Sequence, residues 1–283
     1  MKRCFSKTAT VLLTLSFMLI ILGMFKIPRA WAAGEQWTSI DGNTADGLNT
    51  TGTTLEDFHG PSAISYNGDR YMAWTEYTDA SPNSQKLRVK KYSSGSWSDA
   101  SGVLNDDPSG TYYGNAREPA LVVFDGELYI IWQEYTTFNS YDSSLIHVKK
   151  YSGGTTWISL DDTKSYDSAY HIITCDKSAK PCLNDIYADA KDPVLFVNNG
   201  VLYAAWVELN GKYNVRVVKY NGSDTSDDSY WTLVDGNSVC GINIDQDSNH
   251  NDSAYTPSLA SYNNQLFAAW VETIIQANNH NCG

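Results

Sequence analysis

The stretch PVLFVNNGVLYAAWVE, residues 193–208, contains the pattern that decides the fold. Pro193 opens the stretch, Trp206 follows 13 residues later, and Glu208 lies two positions after Trp206. The same spacing starts again at three other prolines, Pro61, Pro119 and Pro257. Because the internal spacing is constant while the distance between copies varies, each copy is a structural unit and the residues between copies are loops. Internal repetition at this period indicates a propeller, a solenoid or an array.

A tryptophan and a glutamate in a W-x-E triplet end each copy, at Trp74 and Glu76, Trp132 and Glu134, Trp206 and Glu208, and Trp270 and Glu272. Residues present in every copy have the same local role, so we predict that these eight maintain the fold. The glutamates would end a strand and accept backbone N–H groups of an adjoining loop. The alternative is a carboxylate pair for glycoside hydrolysis, which needs two carboxyl groups roughly 5–10 Å apart.

Aligned copies predict four strands per unit. The first strand covers 62–66, 120–124, 194–197 and 258–262, and a turn such as Asn-Gly or Asp-Gly follows it. The second, most apolar strand covers 70–76, 128–134, 202–208 and 266–272. The third covers 86–92, 145–151 and 214–220, and the fourth opens at Trp97, Trp157 and Trp231. This pattern predicts an all-β protein, a β-propeller of about four blades, each blade a four-stranded antiparallel sheet.

The repeat units fall at about 54–101, 102–160, 161–236, and 237–283 plus 36–42, within a single predicted propeller domain, residues 34–283. The segment WTSIDG at 37–42 matches the fourth-strand segment WTLVDG at 231–236. The last copy lacks a clear third strand, for which 273–276 is the candidate. We therefore expect the last blade to be either completed by the N-terminal strand, which would remove its exposed edge, or incomplete. A four-bladed ring and a fragment of a longer array both remain open.

Several segments recur in a fixed order: DGN at 235–237, GIN at 241–243, PSL at 257–259, the W-x-E strand at 266–272 and VVKYNG at 217–222. Together they resemble a tandem repeat of secreted and cell-surface bacterial proteins. The resemblance covers nearly all of the chain after residue 33, and it implies a β-propeller without an established activity. The chain departs from that repeat in its small number of copies and in the insertion at 175–182.

The first 33 residues are predicted to be a signal peptide. Cationic residues lead into an apolar run from Val11 to Phe25, and small residues at Ala30 and Ala32 fit a cleavage site. The run is shorter than the roughly 20 residues of a membrane span, so an uncleaved anchor is the weaker alternative. We expect a secreted or cell-surface protein with no membrane span after cleavage. Removing the leader, which holds five cationic residues and no acid, takes the formal net charge from −12 to −17, which disfavours nucleic acid and anionic membranes as partners.

Four cysteines remain after the leader, an even number that fits two disulfides in an exported chain. The favoured pairs are Cys175 with Cys182 and Cys240 with Cys282, and a cysteine-based zinc site is the alternative. No cofactor is expected. Residues 245–251 place oxygen-bearing side chains at alternate positions, as a Ca²⁺ loop does, but they lack the glycine and the bidentate glutamate of an EF-hand. A solvated polar loop is favoured over a looser Ca²⁺ site.

A ligand site is expected where the copies differ, because a single site cannot use positions that every blade shares. Loops on a rigid scaffold are where binding residues collect. The side chains just before the prolines would surround one end of the channel, and those that differ between copies are His59, Arg117, Glu118, Lys191, Asp192 and Tyr255. The charged neighbours among them either bind a polar ligand or neutralise one another. Aromatic residues of the variable loops, Tyr112 and Tyr113 among them, suit contact with sugars or proteins.

The sequence thus favours a secreted, non-catalytic β-propeller that binds a carbohydrate or a protein. A glycoside hydrolase of sialidase-like or five-bladed type is the alternative. Against it, the chain has no S-x-D-x-G-x-T-W box, and only four arginines follow the leader. A purely structural repeat segment without a ligand is the third hypothesis.

Overall fold

The computed structural model describes residues 40, 48, 60–78, 84–102, 104–105, 114–138, 141–161, 165–166, 172–174, 183–184, 188–210, 212–222, 230–236, 241–243 and 253–273. By its internal contacts the chain divides into two units, Met1–Ile40 and Asp41–Gly283. Ile40 is the one described residue of the first unit, and all strands lie in the second. The described residues include no helix that is long and apolar enough to cross a membrane.

Three four-stranded antiparallel sheets follow one another along the chain, each with its strands in sequence order. Blade 1 contains β1 (Ser62–Tyr66), β2 (Asp69–Thr78), β3 (Ser84–Ser93) and β4 (Ser96–Asp99). Blade 2 contains β5 (Asn115–Phe124), β6 (Glu127–Phe138), β7 (Tyr141–Gly153) and β8 (Thr156–Ser159). A small hairpin of β9 (Ser165–Tyr166) and β10 (Ile172–Thr174) precedes blade 3, which contains β11 (Ala190–Asn198), β12 (Val201–Asn210), β13 (Lys212–Tyr220) and β14 (Trp231–Leu233). Blade 4 has two described strands, β15 (Ser253–Tyr262) and β16 (Gln265–Thr273).

The hairpin that joins the first two strands of each blade has the backbone that its sequence predicts. Asn67 and Gly68 have φ of 50° and 83°, and Asn199 and Gly200 have φ of 50° and 70°. Two consecutive positive φ angles are the geometry of the tight hairpin turn that Asn-Gly favours. The turn sets the register of the first two strands, for example Ser62 opposite Ala73 in blade 1. Every W-x-E motif is therefore held at the same height on its blade.

Consecutive blades pack face to face, and the first strand of each blade lies against the first strand of the next. Three apolar clusters fill the boundaries between blades 1 and 2, 2 and 3, and 3 and 4. Trp132 and Trp206 are fully buried in the first two of these clusters. This radial packing of four-stranded sheets confirms the all-β class and the propeller-type blades.

The tryptophan that opens the fourth strand ties its blade to the preceding one. In blade 2 the Trp157 indole Nε1 donates to the Ala100 carbonyl oxygen at 2.8 Å, just after the end of blade 1. In blade 3 the Trp231 Nε1 donates to the Leu160 carbonyl oxygen at 3.1 Å, just after the end of blade 2. A satisfied donor is what a buried indole needs, so these two residues contribute both packing and a defined blade-to-blade position.

Blade 4 differs from the others in what covers its outer face. Phe267 and Val271 on β16 are 47% and 57% exposed. The tyrosines that occupy the Phe267 position in blades 1 and 2, Tyr71 and Tyr129, are 4% and 3% exposed because the following blade packs on them. The segments expected to complete blade 4, residues 37–42 other than Ile40 and residues 274–276, lie outside the described residues, so ring closure stays a prediction.

The first strands of blades 2, 3 and 4 begin four or five residues earlier than predicted, at Asn115, Ala190 and Ser253. Each strand continues through its proline by way of a register shift. Because proline has no N–H to donate to the ladder, pairing is interrupted there and resumes on both sides, as in a β-bulge. The residues predicted to lie in entry loops, Glu118 and Asp192, are therefore inside strands, at bulges.

Candidate functional site

The W-x-E triplet has a local structural explanation. Residues two apart on a strand project from the same face, so the glutamate lies beside the indole of its own motif. The Trp132 Nε1 donates to Glu134 Oε2 at 3.0 Å, and the corresponding bonds in blades 3 and 4 measure 3.3 and 2.9 Å. Glu134 is 3% exposed. The carboxylate therefore satisfies a buried donor, which fits the structural role predicted for this motif.

Blade 1 shows what happens when one partner changes. Blades 2 and 3 place an acid after the fourth strand, where it meets a basic residue opposite the tryptophan: Asp161 with His147 at 2.5 Å and Asp235 with Arg216 at 3.0 Å. Blade 1 has a serine, Ser101, at that position. There the basic residue, Arg88, turns to Glu76 of the W-x-E motif at 2.8 Å, and the Trp74 indole N–H is left without a partner.

An asparagine that our sequence analysis did not single out clamps each of the first three blades. In blade 2, the Asn184 Oδ1 accepts the Ile146 N–H at 2.8 Å and its Nδ2 donates to the Ser144 carbonyl at 3.2 Å. Asn105 and Asn243 make the same two bonds to the third strands of blades 1 and 3. The side chain thus extends the sheet like a short extra strand. The available sequence signal was a dipeptide, Leu-Asn or Ile-Asn, between consecutive repeats.

The site that breaks the repeat lies at the residues just before the prolines. Glu118, Asp192 and Thr256 have φ of 53°, 56° and 47°, and they form the bulges of β5, β11 and β15. Positive φ is uncommon for glutamate and more so for the β-branched threonine. Blade 1 has Gly60 at the same position. We call Glu118, Asp192 and Thr256 the inner rim, because all three lie on the first strands, which neighbour one another.

Hydrogen bonds join the inner rim from blade to blade. The Asp192 backbone N–H donates to Glu118 Oε2 at 3.0 Å. The Thr256 backbone N–H donates to Asp192 Oδ2 at 2.8 Å. Each carboxyl group therefore reaches across a blade boundary and accepts the backbone N–H of the equivalent residue in the next blade. The repeat thus brings side chains that are 74 and 64 residues apart in the chain into one line.

Burial raises the pKa of Glu118 to about 7, and the neighbouring Asp192 carboxyl raises it further through charge and a side-chain hydrogen bond. The Asp192 N–H and the Arg117 guanidinium act in the opposite direction with smaller effects. A half-buried acid beside a second acid keeps its proton because the two cannot both ionise cheaply. Glu118 is thus a carboxyl group that changes charge near neutral pH.

The cationic neighbours of the inner rim have their own partners. The Arg117 Nε donates to Gln85 Oε1 of blade 1 at 2.9 Å. The Lys191 ammonium lies 3.8 Å from the ring centre of Tyr213 and 4.9 Å from that of Tyr255, which is cation–π geometry. Each cation thus bridges its own blade to a neighbouring one.

A tyrosine beside this cluster also has a perturbed pKa. The Tyr213 hydroxyl donates to Asp189 Oδ2 at 2.6 Å. Burial first, and then this bond to Asp189, raise the pKa of Tyr213 well above its usual range. Tyr213 therefore stays neutral at physiological pH and offers an aromatic face to Lys191.

Of the six predicted ligand-site residues, the structure brings Glu118 and Asp192 into contact and places Lys191 against Tyr255. Arg117 lies beside the pair but bonds to Gln85. His59 lies outside the described residues, and so do Cys175, Cys182, Cys240 and Cys282, the 245–251 loop, and Tyr112 and Tyr113. The role of all these residues in ligand binding stays a prediction. Within the described ranges, no group of three or more His, Cys, Asp and Glu side chains could hold a metal ion.

Comparison with known proteins gives fold likeness alone. No family model matches the sequence, and no curated protein matches it. Among solved structures, the chain is similar to an α-L-arabinofuranosidase from Lactobacillus brevis, with 10% identity, a TM-score of 0.44, and coverage of 80% of this chain and 68% of that one.

Two further solved structures show the same degree of likeness. A protein of unknown function from Dyadobacter fermentans has 14% identity and a TM-score of 0.47, with coverage of 77% of this chain and 64% of that one. A sialidase from Trypanosoma rangeli has 14% identity and a TM-score of 0.43, and the match covers 77% of this chain and 38% of that one.

Proposed function

We propose that this protein binds a carbohydrate at the inner rim, without cleaving it. The observation that carries the proposal is the line of polar groups from three blades, Glu118, Asp192 and Thr256, at a position where the repeats differ. Two carboxyl groups and a threonine side chain, held by backbone hydrogen bonds, provide donors and acceptors at fixed positions. A few fixed polar groups of this kind set orientation and specificity in small-molecule sites.

The W-x-E glutamates are poor candidates for such a site. Glu76 is fully buried and Glu134 is 3% exposed, and each carries out the same local bonding within its blade. A ligand that reached them would have to displace a buried tryptophan. The inner-rim carboxyls are only half-buried and occupy a position where the side chain changes from blade to blade.

Glycoside hydrolysis is the second candidate, and the pKa of Glu118 favours it. An acid with a pKa near 7 is suited to donate a proton to a leaving group at neutral pH. However, hydrolysis by two carboxyl groups needs them about 5–5.5 Å apart for retention or about 6.5–9.5 Å apart for inversion. Glu118 and Asp192 bond to each other directly, which is too close for both mechanisms, and a second catalytic carboxyl would have to come from elsewhere. Binding without turnover is therefore the better-supported proposal.

A glycan array, run beside a panel of chromogenic glycosides that includes α-L-arabinofuranosides, tests the proposal. We expect glycan binding that Asp192→Asn weakens at least tenfold, about 1.4 kcal/mol, with no release of chromophore. Glu127→Gln is the matched control, because Glu127 lies at the opposite end of the β5–β6 pair. Turnover that is lost in Glu118→Gln would replace the binding function with hydrolysis. A protein ligand is supported instead if no glycan binds and a folded Asp192→Asn variant loses a cell-surface protein partner.

A further inference from the structure

The two carboxyl groups of the inner rim face each other across the boundary between blades 2 and 3. The Glu118 and Asp192 side chains are hydrogen-bonded to one another, and Glu118 Oε2 also accepts the Asp192 backbone N–H at 3.0 Å. A hydrogen bond between two carboxyl groups needs one proton. Two carboxylates at that separation repel strongly, so such pairs hold a single proton between them.

The backbone keeps this pair in place. The Asp192 carboxyl is anchored on its far side by the Thr256 N–H at 2.8 Å, so both acids are held by backbone groups of the blade that follows. Those N–H groups belong to bulges at proline positions, where the backbone has little freedom. The pair therefore has a fixed orientation before any ligand arrives.

The charged groups around the pair do not replace the proton. On β5, Arg117 directs its Nε to Gln85, and its effect on Glu118 is smaller than that of burial and of Asp192. On β11, Lys191 packs its ammonium against the Tyr213 and Tyr255 rings. Asp189, also ahead of β11, is held by the Tyr213 hydroxyl and by the Ser144 N–H.

We propose that Glu118 and Asp192 share one proton, and that in this state Glu118 donates a hydrogen bond to a neutral ligand oxygen, a sugar hydroxyl or ring oxygen. This inference rests on the carbohydrate site proposed above and adds its regulation. When the proton leaves to solvent, both groups become acceptors only, and their repulsion acts across the blade boundary. Because the pKa of Glu118 is raised to about 7, the rim binds its ligand in mildly acidic solution and releases it in alkaline solution.

The same proton links stability to pH. In the unfolded chain a glutamate has a pKa of about 4.3, so between that value and about 7 the folded protein holds the proton more tightly. The Glu118 contribution to stability is thus complete below the unfolded pKa and is lost as the pH rises through the folded pKa. Above about pH 8 the contribution no longer changes. Glu118→Gln removes this pH dependence, since an amide does not titrate.

A carboxyl titration tests the shared proton without any ligand. Carbon-13 NMR of the wild type should show one side-chain carboxyl titrating near pH 7, and the signal should be absent from Glu118→Gln. Asp192→Asn should move it towards the ordinary glutamate range, and Glu127→Gln should leave it unchanged. A Glu118 carboxyl that titrates below pH 5 in the folded wild type overturns the proposal.

The donor role is tested by probing a glycan array at pH 5.5 and at pH 8.5. We expect wild-type binding to fall at least tenfold at the higher pH, and Glu118→Gln to bind equally at both, because the amide N–H donates at any pH. A wild-type affinity that is the same at both pH values contradicts the donor role. Absence of any bound glycan at either pH removes the carbohydrate function and the donor role together, whereas the titration decides on the shared proton by itself.

Discussion

Two sets of carboxyl groups lie on the blades, and they differ in what surrounds them. The W-x-E glutamates sit on second strands, in the same setting in every copy, and in blades 2, 3 and 4 each accepts the indole N–H of its own motif. The inner-rim acids sit on first strands, at bulges, and bond to the next blade and to each other. The first set holds each blade together. The second set lies where three blades meet, and there the chemistry changes from blade to blade.

The largest expected effect comes from the tryptophan layer. Trp206→Ala removes a fully buried indole from the boundary between blades 2 and 3 and should lower stability by roughly 3 to 5 kcal/mol. Thermal and denaturant unfolding would measure the loss. A variant that melts within two degrees of the wild type would show that this position does not belong to a packed blade boundary.

The asparagine clamp should rank second. Asn184→Ala leaves the Ile146 N–H and the Ser144 carbonyl without their side-chain partner in a buried setting, at about 1 to 3 kcal/mol for each orphaned group, so we expect a total loss of roughly 2 to 4 kcal/mol. Asn221→Ala is the control, because Asn221 bonds to the Thr232 hydroxyl in an exposed position. Equal melting temperatures for the two variants would remove the clamp from the account.

The W-x-E carboxylate is next in size. Glu134→Gln keeps the shape of the side chain and an acceptor for the Trp132 indole, but it weakens a charge-assisted bond, so stability should fall by about 1 to 3 kcal/mol. Chemical denaturation gives the value. The structural role of the motif is wrong if the variant is as stable as the wild type and yet has lost binding or turnover.

The smallest expected effect is a gain. Blade 1 can be given the arrangement of blade 2 by the double change Asp99→Ser and Ser101→Asp, since Ser159 and Asp161 occupy those positions in blade 2. Arg88 would then have an acid after the fourth strand, and Glu76 would be released for the Trp74 indole, which has no partner now. We expect about 1 kcal/mol of added stability. A crystal structure in which Arg88 still bonds to Glu76 would contradict this explanation of blade 1.

The sequence predicts the blades well because their signals are local. A proline, an Asn-Gly turn and an apolar strand lie within 16 residues, and the strand period of two places the tryptophan and glutamate of W-x-E on one face. The first strands were predicted to begin too late. The proline was taken as the boundary, whereas pairing resumes before it through a bulge.

The inner rim was predictable only in part. Glu118 and Asp192 were singled out because they differ between copies, but their contact depends on how far two blades are rotated about the axis, which no local pattern specifies. The asparagine clamp was missed because its distance to the following proline varies, from 9 residues for Asn184 to 14 for Asn105. Its function is nevertheless constant, because an amide can bond to a strand backbone from loops of different lengths.

Ligand binding by Glu118→Gln and Glu134→Gln, compared at pH 8.5 on one glycan array with their melting temperatures, tests most directly whether the inner rim is the functional set. The account predicts that Glu134→Gln melts lower and keeps the wild-type glycan profile. It predicts that Glu118→Gln stays folded and, at this pH, binds the same glycans more tightly than the wild type. The opposite pattern, with the profile changed by Glu134→Gln and untouched by Glu118→Gln, would contradict it.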